Sequence, residues 1–266
     1  MNAPVVSGLF IYPVKSGAPI SLPTAWAEPR GLAFDRRFMI CDPEGCFITA
    51  REEPRLLRLA GTLVHDGMIF SAPGCLPFYL HYDQIEDNRR DVKVWDDILA
   101  ARRAPQTLDH WLSEYLGRTV HMVYNDPESH RIAGRAAERP ILFADGYPLL
   151  LTSEASLQAV RDAGPTETEM ARFRPNLVVS GSAAWDEDHW RHIRIGEVEL
   201  ELVKPCERCV LITRDPVSGE KAPRGEPLRT LAQIHRDERG RVCFGHNLMV
   251  RKAGLLEVGS RVEIID

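Results

Sequence analysis

Among the six cysteines of this 266-residue chain, Cys206 and Cys209 alone stand three apart, in Lys204-Pro205-Cys206-Glu207-Arg208-Cys209. A thiolate is both nucleophile and metal ligand, and a neighbouring Lys or Arg favours its formation. Several chemistries suit such a pair. A thioredoxin-type dithiol needs the cysteines at a helix start just after a strand, whereas Val210-Leu211-Ile212-Thr213 favours a further strand. Zinc needs four ligands, and Cys206, Cys209, Cys243 and His246 supply a Cys₃His set. Two buried, inert thiols are the bland alternative. Finally, one thiolate can hold a soft or redox-active metal while nearby cations hold an anionic organic cofactor.

Other residues offer anion-binding chemistry. Lys15-Ser16-Gly17 follows a strand and brings together an ammonium, a hydroxyl and free backbone N–H groups. It lacks the upstream glycines of a P-loop and suits a solvated turn equally well. Thr152-Ser153 can cap a helix, whose first N–H groups can also receive an anion. Asp35 and Arg36 read as a structural ion pair. Glu197, Glu199 and Glu201 alternate with apolar residues, the pattern of a half-buried strand with a solvated face.

The elements that must position these groups are mostly short strands. Val5 to Tyr12 is strand-like and Pro13 ends it. Phe38 to Ile40 and Cys46 to Arg51 flank the turn signal Asp42-Pro43-Glu44-Gly45. Further strands are expected at 61–64, 68–71, 78–82, 92–95, 177–180 and 258–265. A helical stripe begins near Thr107 and stops at Gly117, and another helix runs from Thr152-Ser153 to about Ala163. Thr166 with Glu169 has capping-box spacing, and Leu228 to His235 forms a short helix. Asn125 to Arg139 is charged and turn-rich, as in a connecting loop or lid. The change of character near residue 122 divides the chain into domains at 1–122 and 123–266.

Composition bounds the function. A net charge of −5 with 44% hydrophobic residues describes a globular protein without bulk attraction to nucleic acid or anionic membrane. An anionic ligand must therefore be held by locally placed cations. Irregular cysteine spacing suggests a reducing, cytoplasmic setting, and the N-terminus shows neither export signal nor membrane anchor.

Six ordered segments carry a family resemblance: Tyr12-Pro13-Val14-Lys15-Ser16, Asp35-Arg36, Phe47-Ile48-Thr49-Ala50-Arg51, Phe173-Arg174-Pro175-Asn176, Pro205-Cys206-Glu207-Arg208-Cys209 and Phe244-Gly245-His246-Asn247. Together they resemble the MOSC-domain proteins with an N-terminal MOSC β-barrel domain, the family of the mitochondrial amidoxime-reducing components and their bacterial relatives. The resemblance implies a mostly β (α+β) fold, with an N-terminal β-barrel domain and a mixed β-barrel MOSC domain bearing a few short helices. It implies a molybdenum–molybdopterin cofactor with Cys209 as metal ligand. Lys15, Ser16 and Arg36 would hold that cofactor from the first domain, and Thr152, Ser153, Arg174, Asn176, Glu207, Arg208 and Asn247 from the second. The implied activity is reduction of small N-oxygenated substrates, with electrons from a separate flavin, haem or iron–sulfur protein. The alternative within the family is a sulfur-carrier module with a persulfide on Cys209. Asp145, His246 and Glu207 are proton-donor candidates by chemical type. His246 stands where relatives commonly have glutamine, and the further clustered cysteines of an appended [2Fe–2S] domain and the mitochondrial anchor are not expected.

Overall fold

The computed structural model describes residues 3–131, 141–164 and 168–265. Strands dominate, as expected, and among the described residues they form four open sheets rather than a closed barrel. The longest sheet has eight strands. Its longest strands are the antiparallel pair Val198–Glu207 and Cys243–Lys252. Leu149–Ser153 then pairs antiparallel with Cys243–Lys252 and parallel with Leu177–Ser180, making the sheet mixed. Beyond these lie Val5–Ile11 and Ile20–Leu22, so the first strands of the chain complete a sheet built mainly from its second half.

The alternation in these strands explains the packing. Leu9 and Ile11 from the first strand join Leu149, Leu151, Leu177, Leu200, Leu202, Leu248 and Val250 in one buried cluster because alternate side chains share a sheet face, and the register shift between Val6 and Gly8 adds Val6 to it. A second core lies under the hairpins Ala60–Val64, Gly67–Ser71 and Phe78–His81. There the helix Gln106–Leu116 buries Leu108, Leu112 and Leu116, and Gly117 ends it in the left-handed conformation at φ 62°. Arg89–Val94, Asp97–Arg103, His121–Tyr124 and Phe38–Cys41 make a four-stranded sheet.

Three local expectations are corrected. Cys46–Arg51 does not return as a full strand: Phe47 makes a single bridge to Cys41, and Thr49 to Glu53 then turns back on itself. Val210–Thr213 is a 3₁₀ turn rather than a strand. Its Thr213 hydroxyl donates to the Val210 carbonyl at 2.7 Å, and Ile212 is buried against Leu157, Phe244 and Leu231. Near the C-terminus, the continuous strand expected at 258–265 is reduced to Glu263–Ile264 and a single bridge from Arg261 to Val5, and Gly254–Glu257 forms a separate strand before it. Thr166 and residues 132–140 of the expected connecting loop lie outside the described residues. Among the described residues no helix is long and apolar enough to cross a membrane.

Candidate functional site

A cleft of ≈ 580 Å³ is lined by residues from both halves of the sequence. One wall begins where Pro13 ends the first strand. The Lys15 N–H donates to the Phe38 carbonyl at 2.8 Å and the Gly17 N–H to Val14 at 2.9 Å, fixing a turn with Ser16 at φ 67°. Lys15 consequently points inward and is 5% exposed. Its ammonium donates to the Phe143 carbonyl at 2.8 Å and to the Asp145 carboxylate. An ammonium has three N–H donors, so one remains for a ligand. Burial pulls the Lys15 pKa down, against the upward pull of Asp145. For Asp145, burial acts upward, but the charge and hydrogen bond of Lys15 hold its carboxyl well below the usual carboxylate range.

Deeper in the wall, Arg36 and Arg174 both have left-handed backbones, at φ 46° and φ 56°. Such conformations are uncommon outside glycine and mark positions that surrounding structure must enforce. Here the enforcement is visible. The Arg36 N–H donates to the Tyr12 carbonyl at 2.7 Å, and its guanidinium donates to Asp35 Oδ2 at 2.5 Å and Asn176 Oδ1 at 2.9 Å. Asp35, 2% exposed, accepts the Tyr12 N–H on its other oxygen at 2.7 Å; burial raises its pKa, and Arg36 opposes that rise. Asp35–Arg36 is thus the expected ion pair, but Arg36 also lines the cleft. Asn176 is locked by donating to Phe10 and accepting from Leu150. Arg174 donates to the Gly17 carbonyl at 2.8 Å, and burial pulls its pKa down to about 10.

The opposite wall is the end of Val198–Glu207 and the residues that follow it. Cys206 lies within the strand, while Cys209, exposed, precedes the 3₁₀ turn with an extended backbone. Arg208 donates to the Phe173 carbonyl at 2.8 Å, and its other terminal nitrogen lies 3.0 Å from Cys206 Sγ. Glu207 reaches Arg241 at 3.8 Å, and Asn247 braces the strand end by donating to the Pro205 carbonyl at 3.4 Å. Nine of the eleven site residues selected from sequence therefore meet in one cleft. The remaining two, Thr152 and Ser153, do not line it. Both are fully buried: Thr152 donates to the Met170 sulfur at 3.2 Å, and Ser153 caps the helix Glu154–Ala163.

Sequence reasoning missed Arg51, Trp95, Tyr147 and Lys204 as lining residues. Arg51 stacks 4.5 Å from the Trp95 ring and Lys204 5.1 Å from the Tyr147 ring. Trp95 also donates its indole N–H to Asp145 at 3.3 Å and has φ 58°. Four of the seven non-glycine residues with positive φ among the described residues line this cleft: Ser16, Arg36, Trp95 and Arg174. The detectable signal was the segment Phe47–Arg51, which carried family resemblance without an assigned role.

The other candidates separate clearly. His246, 4% exposed, lies off the cleft and bonds Asp188 at 2.8 Å. Among the described residues no three His, Cys, Asp or Glu side chains are grouped so as to hold a metal, so the Cys₃His set is not assembled.

The lining has six cations (Lys15, Arg36, Arg51, Arg174, Lys204 and Arg208) and two carboxylates, Asp145 and Glu207. Thr49 Oγ1 and Arg208 Nε, both in this lining, are buried without a hydrogen-bond partner. Buried polar groups are ordinarily paired. Excess positive charge with unmet polar atoms fits a polyanionic organic group, and the exposed Cys209 thiol beside it fits a soft metal carried on that group.

Comparison with known proteins defines the class. The family model "MOSC N-terminal beta barrel domain" matches residues 3–119, and the "MOSC domain" model matches residues 138–263. The mitochondrial amidoxime reducing component 2 of Rattus norvegicus is 31% identical, over 97% of this chain and 82% of its own. Component 1 of Homo sapiens is 32% identical, over 98% and 82%. The chain belongs to this family of MOSC-domain proteins with an N-terminal MOSC β-barrel domain. The crystal structure of the YUAD protein from Bacillus subtilis aligns with 98% of this chain and 94% of its own, at 9% identity and TM-score 0.44.

Proposed function

We propose that the protein is a molybdenum-cofactor oxidoreductase that reduces N-oxygenated substrates such as amidoximes, hydroxylamines and N-hydroxylated bases. The observation that carries this reading is the convergence of Cys209 with Lys15, Arg36, Arg174 and Arg208 in one cleft. The names of the relatives, amidoxime-reducing components, supply the substrate class. When bound, molybdenum on its pyranopterin supplies the two-electron reduction that converts an N–O bond to N–H with release of water.

The chain's own residues do the remaining work. Cys209 would ligate the metal, and its exposure leaves the reacting face open to substrate. Arg36, Arg174 and Arg208 would grip the phosphate with planar, forked donors, and Lys15 would add a point charge. Ser16, Asn176 and Asn247 contribute neutral polar groups, and Glu207 a carboxylate beside the ligand strand. Asp145 keeps the buried Lys15 ammonium charged and in place; held as a carboxylate, it accepts rather than donates hydrogen bonds at neutral pH. Electrons come from a separate flavin, haem or iron–sulfur protein. The six free cysteines suit a reducing compartment such as the cytoplasm.

Metal and pterin analysis of the purified protein tests the proposal. Molybdenum and pterin in equal amounts are expected, both lost in Cys209→Ala, together with reduction of benzamidoxime by an artificial electron donor. Zinc without pterin, or labile sulfur on Cys209 without molybdenum, would overturn it, the latter in favour of a sulfur-carrier role.

A further inference from the structure

We propose that Tyr12 is the positioning residue that holds the two anion-binding arginines in place, acting through the π-face of its ring. This inference rests on reading the cleft as a site for an anionic group. Arg36 Cζ lies 4.4 Å and Arg174 Cζ 4.2 Å from the centroid of the Tyr12 ring. Tyr12 is 1% exposed, so both contacts are shielded from water, where the attraction between a cation and a ring face is strongest.

The contacts answer a physical difficulty. Two like-charged guanidiniums share one ring, yet among the described residues the only carboxylate bonded to either is Asp35, which Arg36 occupies at 2.5 Å. Among the described residues the Arg174 guanidinium makes one hydrogen bond to protein, to the Gly17 carbonyl, which carries no formal charge. The negative face of an aromatic ring attracts cations without presenting a carboxylate. A carboxylate in its place would compete with an incoming anion for the same guanidinium edges. The ring contacts the cations and leaves N–H donors for ligand.

Tyr12 is itself fixed. Its N–H is bound to Asp35 Oδ1 and its carbonyl accepts the Arg36 N–H, so ring and arginine are tied through one short backbone segment. Burial pushes the Tyr12 phenol up to about 12, so the ring stays neutral over the working pH range. A phenolate would instead pair with the guanidiniums and close the site.

The test uses substitution that alters the ring's electrostatics while keeping its shape. Tyr12 is replaced by Phe and then by mono-, tri- and pentafluorinated phenylalanine. Affinity for inorganic phosphate is measured by calorimetry on protein purified without cofactor, and molybdenum and pterin content on protein from a cofactor-producing host. Phe should bind phosphate within about twofold of wild type, and the pentafluorinated ring about tenfold more weakly, with the intermediate rings falling in order. Because each fluorine adds little volume to the ring, a residue that merely packs would give a nearly flat series, and a flat series overturns the proposal. Loss of affinity in Phe as large as in the pentafluorinated variant also overturns it, by assigning the role to the hydroxyl. A graded phosphate series in a protein that carries neither molybdenum nor pterin would uphold the role of Tyr12 while rejecting the cofactor assignment.

Discussion

His246 and Asn247 are consecutive in the strand Cys243–Lys252 and therefore point to opposite faces. Asn247 faces the cleft, while His246 joins a cluster around Asp188. Both regions are assemblies of charged groups, built on opposite terms. Around Asp188 one carboxylate serves two imidazoles: Oδ2 meets His235 Nε2 at 2.7 Å and Oδ1 meets His246 Nε2 at 2.8 Å. In the cleft six cations face two carboxylates. Charge that the protein matches from within supports its fold. Charge that it leaves in excess is available to something else.

The largest test of this contrast is to remove one carboxylate from each region. Asp188→Ala strips both histidines of their partner; Asp188 is 25% exposed but His246 only 5%, which sets the cost at the lower end of that for breaking a buried ion pair, about 3 kcal/mol. Asp145→Asn takes the charged partner from the buried Lys15 ammonium, which keeps the Phe143 carbonyl, and because the Asp145 side chain is 68% exposed solvent screens the pair and holds the cost to about 1 kcal/mol. Urea denaturation of the cofactor-free proteins should show the first change several-fold larger. Equal losses would mean that the cleft charges are as structural as those of the cluster.

A smaller effect, with a defined sign, concerns pH. His235 Nδ1 lies 2.9 Å from the Cys243 carbonyl and Nε2 faces Asp188. Both partners accept, so this geometry favours the imidazolium, in which both ring nitrogens donate. Burial alone would lower its pKa, but the bonds to Asp188 and Cys243 raise it above the ordinary value. Its contribution is present below the unfolded value of about 6.5 and fades as pH rises through the higher folded value. Burial would raise Asp188, yet hydrogen bonds from His235 and His246 hold it well below the carboxylate range. That contribution is present above the unfolded value of about 3.9 and fades as pH falls toward the lower folded one. The stability difference between wild type and Asp188→Asn should therefore peak between about pH 4 and 6.5 and shrink on either side. A difference that keeps growing above pH 7 would contradict the imidazolium assignment.

The two regions also differ in how far the sequence discloses them. Periodicity was sufficient for the helix Gln106–Leu116, where one repeating face is buried, and β-branched and aromatic content closed by Pro13 was sufficient for the strand Val5–Ile11. Strand propensity failed at Val210–Thr213, where burial of Ile212 and the returning Thr213 hydroxyl override β-branched preference. Lys15, Arg36, Arg174 and Cys209 gained roles through resemblance to a family; their meeting point depends on the first strand crossing to the second half's sheet. Trp95 and Tyr147 were illegible because their places follow from a left-handed turn and from packing across the cleft. The Asp188 cluster was equally hidden, since its members lie 47 and 58 residues apart and belong to no periodic pattern.

Thr152 and Ser153 provide the finest test, because the family resemblance placed them with the cleft and the structure places them with the fold. The Ser153 hydroxyl accepts the Ser156 N–H at 3.5 Å, a long cap, and lies 3.3 Å from the Ser182 hydroxyl. Losing a serine cap costs about 0.5–2 kcal/mol, and the length of this one favours the lower end. Ser153→Ala should therefore lower stability by about 0.5–1 kcal/mol while leaving molybdenum and pterin content unchanged. A residue that holds cofactor would show the reverse: unaltered stability of the cofactor-free protein and depleted pterin. That outcome would move Ser153 into the cleft's donor set and require the helix Glu154–Ala163 to present its first turn to the ligand.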